Sequence, residues 1–313
     1  MDKIINSTCA CSISLSEYDW PQIMLEPCEH ILHKKCYESN KRLCPICKHK
    51  IEKCNTFDNI KKEAKNNMLS YQKYVDMISV SNFNNLSESN ISISGIIDFI
   101  GILSKLPFMA GYTDGRNGSG EILNLMNAHL IVHGTENIIK TPKVYISTHT
   151  TFIDFIVIIY ILKCGFLSSS YIKKSWYGRL ITNIIPLLLL NRGKKSNTVD
   201  RMKKYIKNHG SICLFPEGMI THPDTITRFR TGAFYVGYPV VPVVITYNPP
   251  IYDSDINTFI KKMTSSSNLT ITMKILPPEM PPFDNTHIEN IRCKMAEAGN
   301  LAISRVSNKD LSD

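Results

Sequence analysis

The feature that most constrains this chain is a crowd of sulfur and imidazole donors near its start. Six of its ten cysteines fall before residue 48, interleaved with His30 and His33, while Cys164, Cys213 and Cys293 stand singly in apolar stretches. The order is Cys28-x-His30-x2-His33-x2-Cys36, then Cys44-Pro45-Ile46-Cys47. Paired soft and imidazole donors at this spacing are what tetrahedral zinc requires. A segment of about fifty residues falls below the size at which a hydrophobic core usually suffices, so bound metal would supply much of its folding free energy. The start, MDKIINSTCACS, turns polar at once instead of forming a charged-then-apolar leader. The expectation is therefore a reducing cytosol and no disulfides.

Beyond this cluster the composition is that of a largely globular protein: 313 residues, 43% hydrophobic, with a mean hydropathy of -0.09. The formal charge of +9 is spread along the chain without a long basic block. Such a spread suits anionic membrane surfaces or phosphorylated substrates better than groove reading, and no nucleic-acid partner is expected. No apolar stretch reaches the roughly eighteen residues of a confident membrane span. Residues 93–112 come nearest but are broken by Asp98, Lys105 and Pro107. They read either as an interfacial anchor, which makes the protein monotopic on the cytosolic face of a membrane, or as a buried helix.

Three regions follow: a zinc-stabilised module at 1–55, a polar, partly helical linker at 56–92, and an α/β region at 93–313. Within the linker, Ile60, Ala64, Met68, Tyr71 and Tyr74 fall at near-helical spacing, which predicts a helix within 58–80. The Gly-rich GYTDGRNGSG at 111–120 lacks phosphate-loop spacing and reads as a flexible connector. From Ile122 onward, β-branched runs (AHLIVHG, KVYIST, SICLF, VVPVVIT, LTITMKIL) alternate with helical patterns such as NTVDRMKKYIKNH, which predicts an α/β fold. The apolar runs FIVIIYILKCGFL and LITNIIPLLLL read as core helices, with an apolar tunnel or membrane face as the alternative. Trp176 and Tyr177, beside Lys173, Lys174 and Arg179, suit a headgroup-level anchor.

The chemistry concentrates after KVYIST. His149 sits in a predicted turn and Asp154 in the first turn of the following apolar helix. A carboxylate bonded to one imidazole nitrogen fixes the tautomer and frees the other to take a hydroxyl proton as general base. Where the acceptor hydroxyl attacks directly, no serine or cysteine nucleophile is needed. Further blocks follow in order: Asn191-Arg192-Gly193, Phe215-Pro216-Glu217-Gly218, Phe229-Arg230-Thr231-Gly232-Ala233-Phe234, and Val241-Pro242-Val243.

This ordered set resembles the glycerophospholipid and lysophospholipid acyltransferase family over about residues 130–245, and its spacing is most similar to the lysophosphatidylcholine acyltransferase branch. The resemblance implies a mixed sheet flanked by helices, with acyl-coenzyme A as co-substrate. It implies His149 as base, Asp154 as its orienter, and Arg192, Gly193, Glu217, Gly218 and Arg230 around the acceptor's glycerol phosphate. Arginine offers a planar fork to phosphate oxygens, and Gly218 permits close backbone approach. Thr148, Met219, Ile220 and His222 depart from the family's usual residues.

The donor cluster resembles a RING finger. That resemblance implies one zinc on Cys28, His30, Cys44 and Cys47, and a second on His33 and Cys36 with Cys11. Ser14 stands where a fourth cysteine is usual, and Cys9 is a stand-in from outside the expected register. Ile13, Pro45 and Lys48 match positions that dock a ubiquitin-conjugating enzyme, so ubiquitin transfer is the implied second activity, with a binding-only zinc knob as the alternative. The rival view of the whole chain is an interaction protein whose acyltransferase fold is an inactive membrane platform.

Overall fold

A computed structural model of the chain describes residues 9–10, 22–28, 30–38, 43–56, 68–80, 97, 100–101, 116–170, 187–190, 198–251 and 269–307. Near the N-terminus, β1 (Gln22–Glu26), β2 (His30–His33) and β3 (Lys53–Thr56) form an antiparallel sheet in the order β2-β1-β3. The short helix α1 (Lys34–Glu38) follows β2 directly. Ile23, Met24, Leu25, Ile31 and Leu32 make its small core, together with Cys9 and Cys44.

The stretch read as a polar linker carries helix α2 (Met68–Val80). Its buried face is Val75, Met77 and Ile78, while Tyr71 is exposed. The expected helix is thus present from Met68, and Tyr74 of the same spacing packs against the N-terminal core. Residues 58–67 of that expectation lie outside the described residues.

In the larger region the elements run α3 (Arg116–Leu125), β4 (Ala128–His133), β5 (Lys143–Ser147), α4 (Ile153–Leu162), β6 (Gly165–Ser169) and β7 (Leu187–Leu190). They continue with α5 (Thr198–His209), β8 (Ser211–Leu214), β9 (Thr225–Arg228), β10 (Val240–Asn248), β11 (Leu269–Ile275), α6 (Asn285–Gly299) and β12 (Ala302–Ser307). Seven strands form one sheet in the order β4-β11-β10-β5-β8-β6-β7. The β10–β11 pair is antiparallel and the other pairs are parallel, so the sheet is mixed. Separately, β9 and β12 form a parallel pair.

Both faces of the large sheet are covered, which is why its central strands are apolar on both sides. On β5, Tyr145 packs toward α3 and α4 with Ile122, Ile153 and Val157. Its neighbours Val144 and Ile146 face the other way, toward Met202 and Ile206 of α5 and Ile291 and Met295 of α6.

Two expectations need correction. The 111–120 stretch is not simply a connector, because residues from Arg116 begin α3. Ser119 there is buried, and a Cβ at Gly120 would meet the Tyr160 ring at 2.8 Å, so small residues let α3 close onto α4. Likewise Leu187–Leu190, read as the end of a core helix, is the edge strand β7 paired in parallel with β6. A short apolar run has no periodicity to distinguish helix from strand, and pairing with a neighbour decides it.

The two regions touch. Met77 of α2 and Val306 of β12 complete the small N-terminal core, and Lys73 pairs with Glu26 at 3.2 Å. Asp76 of α2 is fully buried; its Oδ1 accepts from Gln72, Ser304 and the Arg305 N–H, and its Oδ2 from Arg305 Nε at 2.6 Å. Gln72 also donates to the Ile303 carbonyl.

Candidate active site and metal centre

The turn after β5 is built around Asp154. Its side chain is fully buried, and Oδ2 accepts from His149 Nδ1 at 2.9 Å, from the Thr150 N–H at 2.8 Å and from the Thr151 N–H at 3.1 Å. Oδ1 accepts from the Tyr247 hydroxyl at 2.5 Å. A carboxylate receiving this many donors is a fixed acceptor, so it assigns the His149 proton to Nδ1 and leaves Nε2 as the basic nitrogen.

Other contacts hold the imidazole from its flanks. The Phe215 ring stacks on it at 3.9 Å between centroids, and Phe155 meets it edge-on at 5.5 Å. The His149 carbonyl accepts from the Thr221 N–H at 2.7 Å. Thr148 clips the turn to β10: its Oγ1 accepts from the Ile245 N–H at 3.0 Å, and its N–H donates to the Val243 carbonyl. The departure at Thr148 thus retains a polar side chain that the turn uses.

Glu217 follows β8 and is completely buried. Its Oε2 accepts from the Thr227 N–H at 2.7 Å and the Thr227 hydroxyl at 2.9 Å, while Oε1 has no hydrogen-bond partner. Burial pushes its carboxyl up to about 7, against the pull of the Thr227 and Thr221 donors and the Arg292 charge. Such a group exchanges a proton near neutral pH.

Next to it, Gly218 has a φ of +75°, and a Cβ there would meet Arg230 Nε at 2.7 Å. Glycine is therefore required both by the backbone and by the Arg230 side chain laid across it. The Arg230 N–H donates to the Pro216 carbonyl at 2.7 Å, so the 215–218 and 229–234 blocks form one loop pair. His222 is buried, which lowers its pKa, and its Nδ1 accepts the Asp224 N–H at 3.2 Å as a local turn acceptor.

Of the residues singled out from sequence, His149, Asp154, Glu217, Gly218 and Arg230 converge through these bonds. Arg192 and Gly193 lie outside the described residues, as do Trp176 and its basic neighbours. Sequence reasoning missed Thr227, Tyr247 and the buried Arg292. The strand alternation that places Val243, Ile245 and Tyr247 on one face was the available signal for Tyr247.

In the N-terminal region, donor atoms of Cys28, His30, Cys44 and Cys47 lie within 4.8 Å of one another. Cys9, His33 and Cys36 make a second such group. A zinc–sulfur bond of about 2.3 Å places two ligand sulfurs about 3.8 Å apart, so the donor set fits a tetrahedral ion. Burial pushes the Cys28 thiol up to about 12, with the Cys44 and Cys47 thiols adding to it, a crowding that a cation would relieve. Cys11, Ser14 and Ile13 lie outside the described residues. Cys9, the stand-in, accepts the His33 N–H at 3.4 Å.

A mixed sheet carries a buried His–Asp pair at the end of a parallel strand, beside a glutamate-and-arginine loop pair, an arrangement that can do general-base chemistry. Residues 129–246 match the family model described as Acyltransferase, and lysophospholipid acyltransferases are among the proteins this stretch is similar to. "Lysophospholipid acyltransferase LPEAT1" of Arabidopsis thaliana is 27% identical over 196 residues, 55% of this chain and 48% of that protein. "Lysophosphatidylcholine acyltransferase 2" of Rattus norvegicus is 29% identical over 115 residues, 35% of this chain and 21% of that protein. The chain thus spans about half the length of the plant relative and about a fifth of the rat one. Among solved structures, the "1-acyl-sn-glycerophosphate (LPA) acyltransferase, PlsC" of Thermotoga maritima is similar over 64% of this chain and 88% of that one, with a TM-score of 0.42 and 17% identity.

Proposed function

We propose that the chain transfers an acyl group from acyl-coenzyme A to a hydroxyl of a lysophospholipid or glycerophosphate. The observation that carries this reading is the convergence of His149 and Asp154 with Glu217, Gly218 and Arg230, through Phe215 and Thr221, inside the acyltransferase-family segment. His149 Nε2 takes the acceptor hydroxyl proton as the oxygen attacks the thioester carbonyl. The tetrahedral intermediate collapses, the carbon–sulfur bond breaks, and the leaving thiolate receives the proton from His149. Arg230, joined by Arg192 and Gly193, holds the acceptor phosphate, and Glu217, bonded to Thr227, fixes the loop that presents Gly218 to it.

Cys28, His30, Cys44 and Cys47 hold one structural zinc in this reading, and Cys9, His33 and Cys36 hold a second, with Cys11 near them in sequence. No helix among the described residues is long and apolar enough to cross a membrane. Ile97 and Ile100 are exposed, in keeping with a monotopic anchor at 93–112 that seats the enzyme on the cytosolic face. A second activity, ubiquitin transfer, draws support from Leu43 and Ile46, which are exposed beside Pro45 and Lys48 as an apolar dock for a conjugating enzyme would be.

Labelled acyl-coenzyme A offered with a panel of lysophospholipids and glycerol 3-phosphate tests the reading. Transfer by the parent chain and none by His149→Ala is expected; equal counts in both would overturn it. Autoubiquitination that survives loss of Cys44 would remove the second activity.

A further inference from the structure

Asp154 is gripped from two directions by groups of different kinds. Oδ2 receives His149 and two backbone N–H groups of its own turn, all from residues 149–151. Oδ1 receives a donor from ninety-three positions away, the Tyr247 hydroxyl. Local bonds to one oxygen fix that atom, and an anchor on the other oxygen adds an independent restraint on the plane of the carboxylate.

The sheet supplies this anchor. The β10–β5 pairing ends at Val243 and Ser147, where β5 turns away into the His149 loop. Strand β10 runs on past that point, paired with β11 through Tyr247 and Ile271. Tyr247 is thereby held over the turn by a neighbouring strand, independently of the turn itself. Its ring is buried in the core formed with α3 and α4, so the hydroxyl has little freedom to leave.

We infer that Tyr247 is a positioning residue of the proposed acyl transfer: it fixes the Asp154 carboxylate from the far oxygen and so sets the orientation of His149. The inference rests on the His149–Asp154 reading given above. Tyr247 touches no reacting atom, and its effect passes entirely through Asp154. Tyr145 provides an internal contrast, because its buried hydroxyl on β5 has no hydrogen-bond partner.

Tyr247→Phe keeps the ring and removes the hydroxyl. Its kcat should fall by about tenfold or more, with KM for the lysophospholipid within about twofold of the parent. In an Asp154→Asn background the same change should reduce the residual rate by less than about twofold, because its route is already broken. The His149 Nδ1 proton resonance, assigned by its loss in His149→Ala, should move or broaden in Tyr247→Phe and stay in place in Tyr145→Phe. A parent-like kcat with an unmoved resonance, or fully additive losses in the double variant, would overturn the role. Should the parent transfer no acyl group, the proposed function fails while the resonance still decides whether Tyr247 orients the pair.

Discussion

The core of the N-terminal sheet is a handful of side chains, Ile23, Met24, Leu25, Ile31 and Leu32, finished by Met77 and Val306 borrowed from elsewhere in the chain. The large sheet buries a full apolar layer on each face, under α3 and α4 on one side and α5 and α6 on the other. At about 1.5–3 kcal/mol for each fully buried aliphatic side chain, the second region can meet its entropy cost with packing while the first cannot. The difference shows in where the polar atoms sit. In the small region sulfur and imidazole donors are drawn into two groups that could hold metal. In the large one they gather at the ends of β5 and β8, where strands stop and turns must be bonded individually.

Removing metal tests this contrast most severely. Zinc in small folds contributes roughly 10–16 kcal/mol, so chelation should unfold the 9–56 region and expose it to protease while the amides of β5, β8 and β10 stay protected from hydrogen exchange. Unchanged protection in both regions would abolish the distinction. Metal analysis of the full chain sharpens it: close to two equivalents are expected if Cys9, His33 and Cys36 ligate, and close to one otherwise.

The opposite perturbation comes next in size. His149→Ala should reduce acyl transfer by about 10²–10⁴-fold and leave the melting temperature of the chain nearly unchanged. A large loss of stability would mean that the imidazole is part of the core.

The seam itself is tested by Asp76→Ala. This removes a fully buried carboxylate that binds Ser304 and Arg305, and should cost about 3 kcal/mol in denaturant unfolding. If the two regions were merely tethered, the cost would fall near zero.

Of similar size is a pH dependence confined to the large region. Burial raises the Glu217 carboxyl from 4.5 to about 7, so the folded state holds this proton more tightly than the unfolded one. Stability from this group is greatest below about pH 4.5, declines as pH rises toward 7, and is lower by about 3 kcal/mol above that. Glu217→Gln should therefore gain stability over the parent at pH 8 and show no advantage at pH 4, as read from thermal melts. A gap that stays constant with pH would place the Glu217 proton elsewhere.

What sequence alone decided here is local. The spacing of Cys28, His30, Cys44 and Cys47 pointed to a donor cluster, and alternation of β-branched runs declared strands such as β5, β8 and β10, because both patterns depend on neighbours in the chain. The turn from His149 to Asp154 was legible for the same reason, since it closes within five residues. Tertiary structure decided the rest: that Leu187–Leu190 is an edge strand, that α2 docks on β12, that Thr227 holds Glu217, and that Tyr247 reaches Asp154. None of these has a period or spacing to announce it. Each exists because the sheet brings distant residues to the same edge, where a buried polar group must find a partner and takes the one the fold supplies.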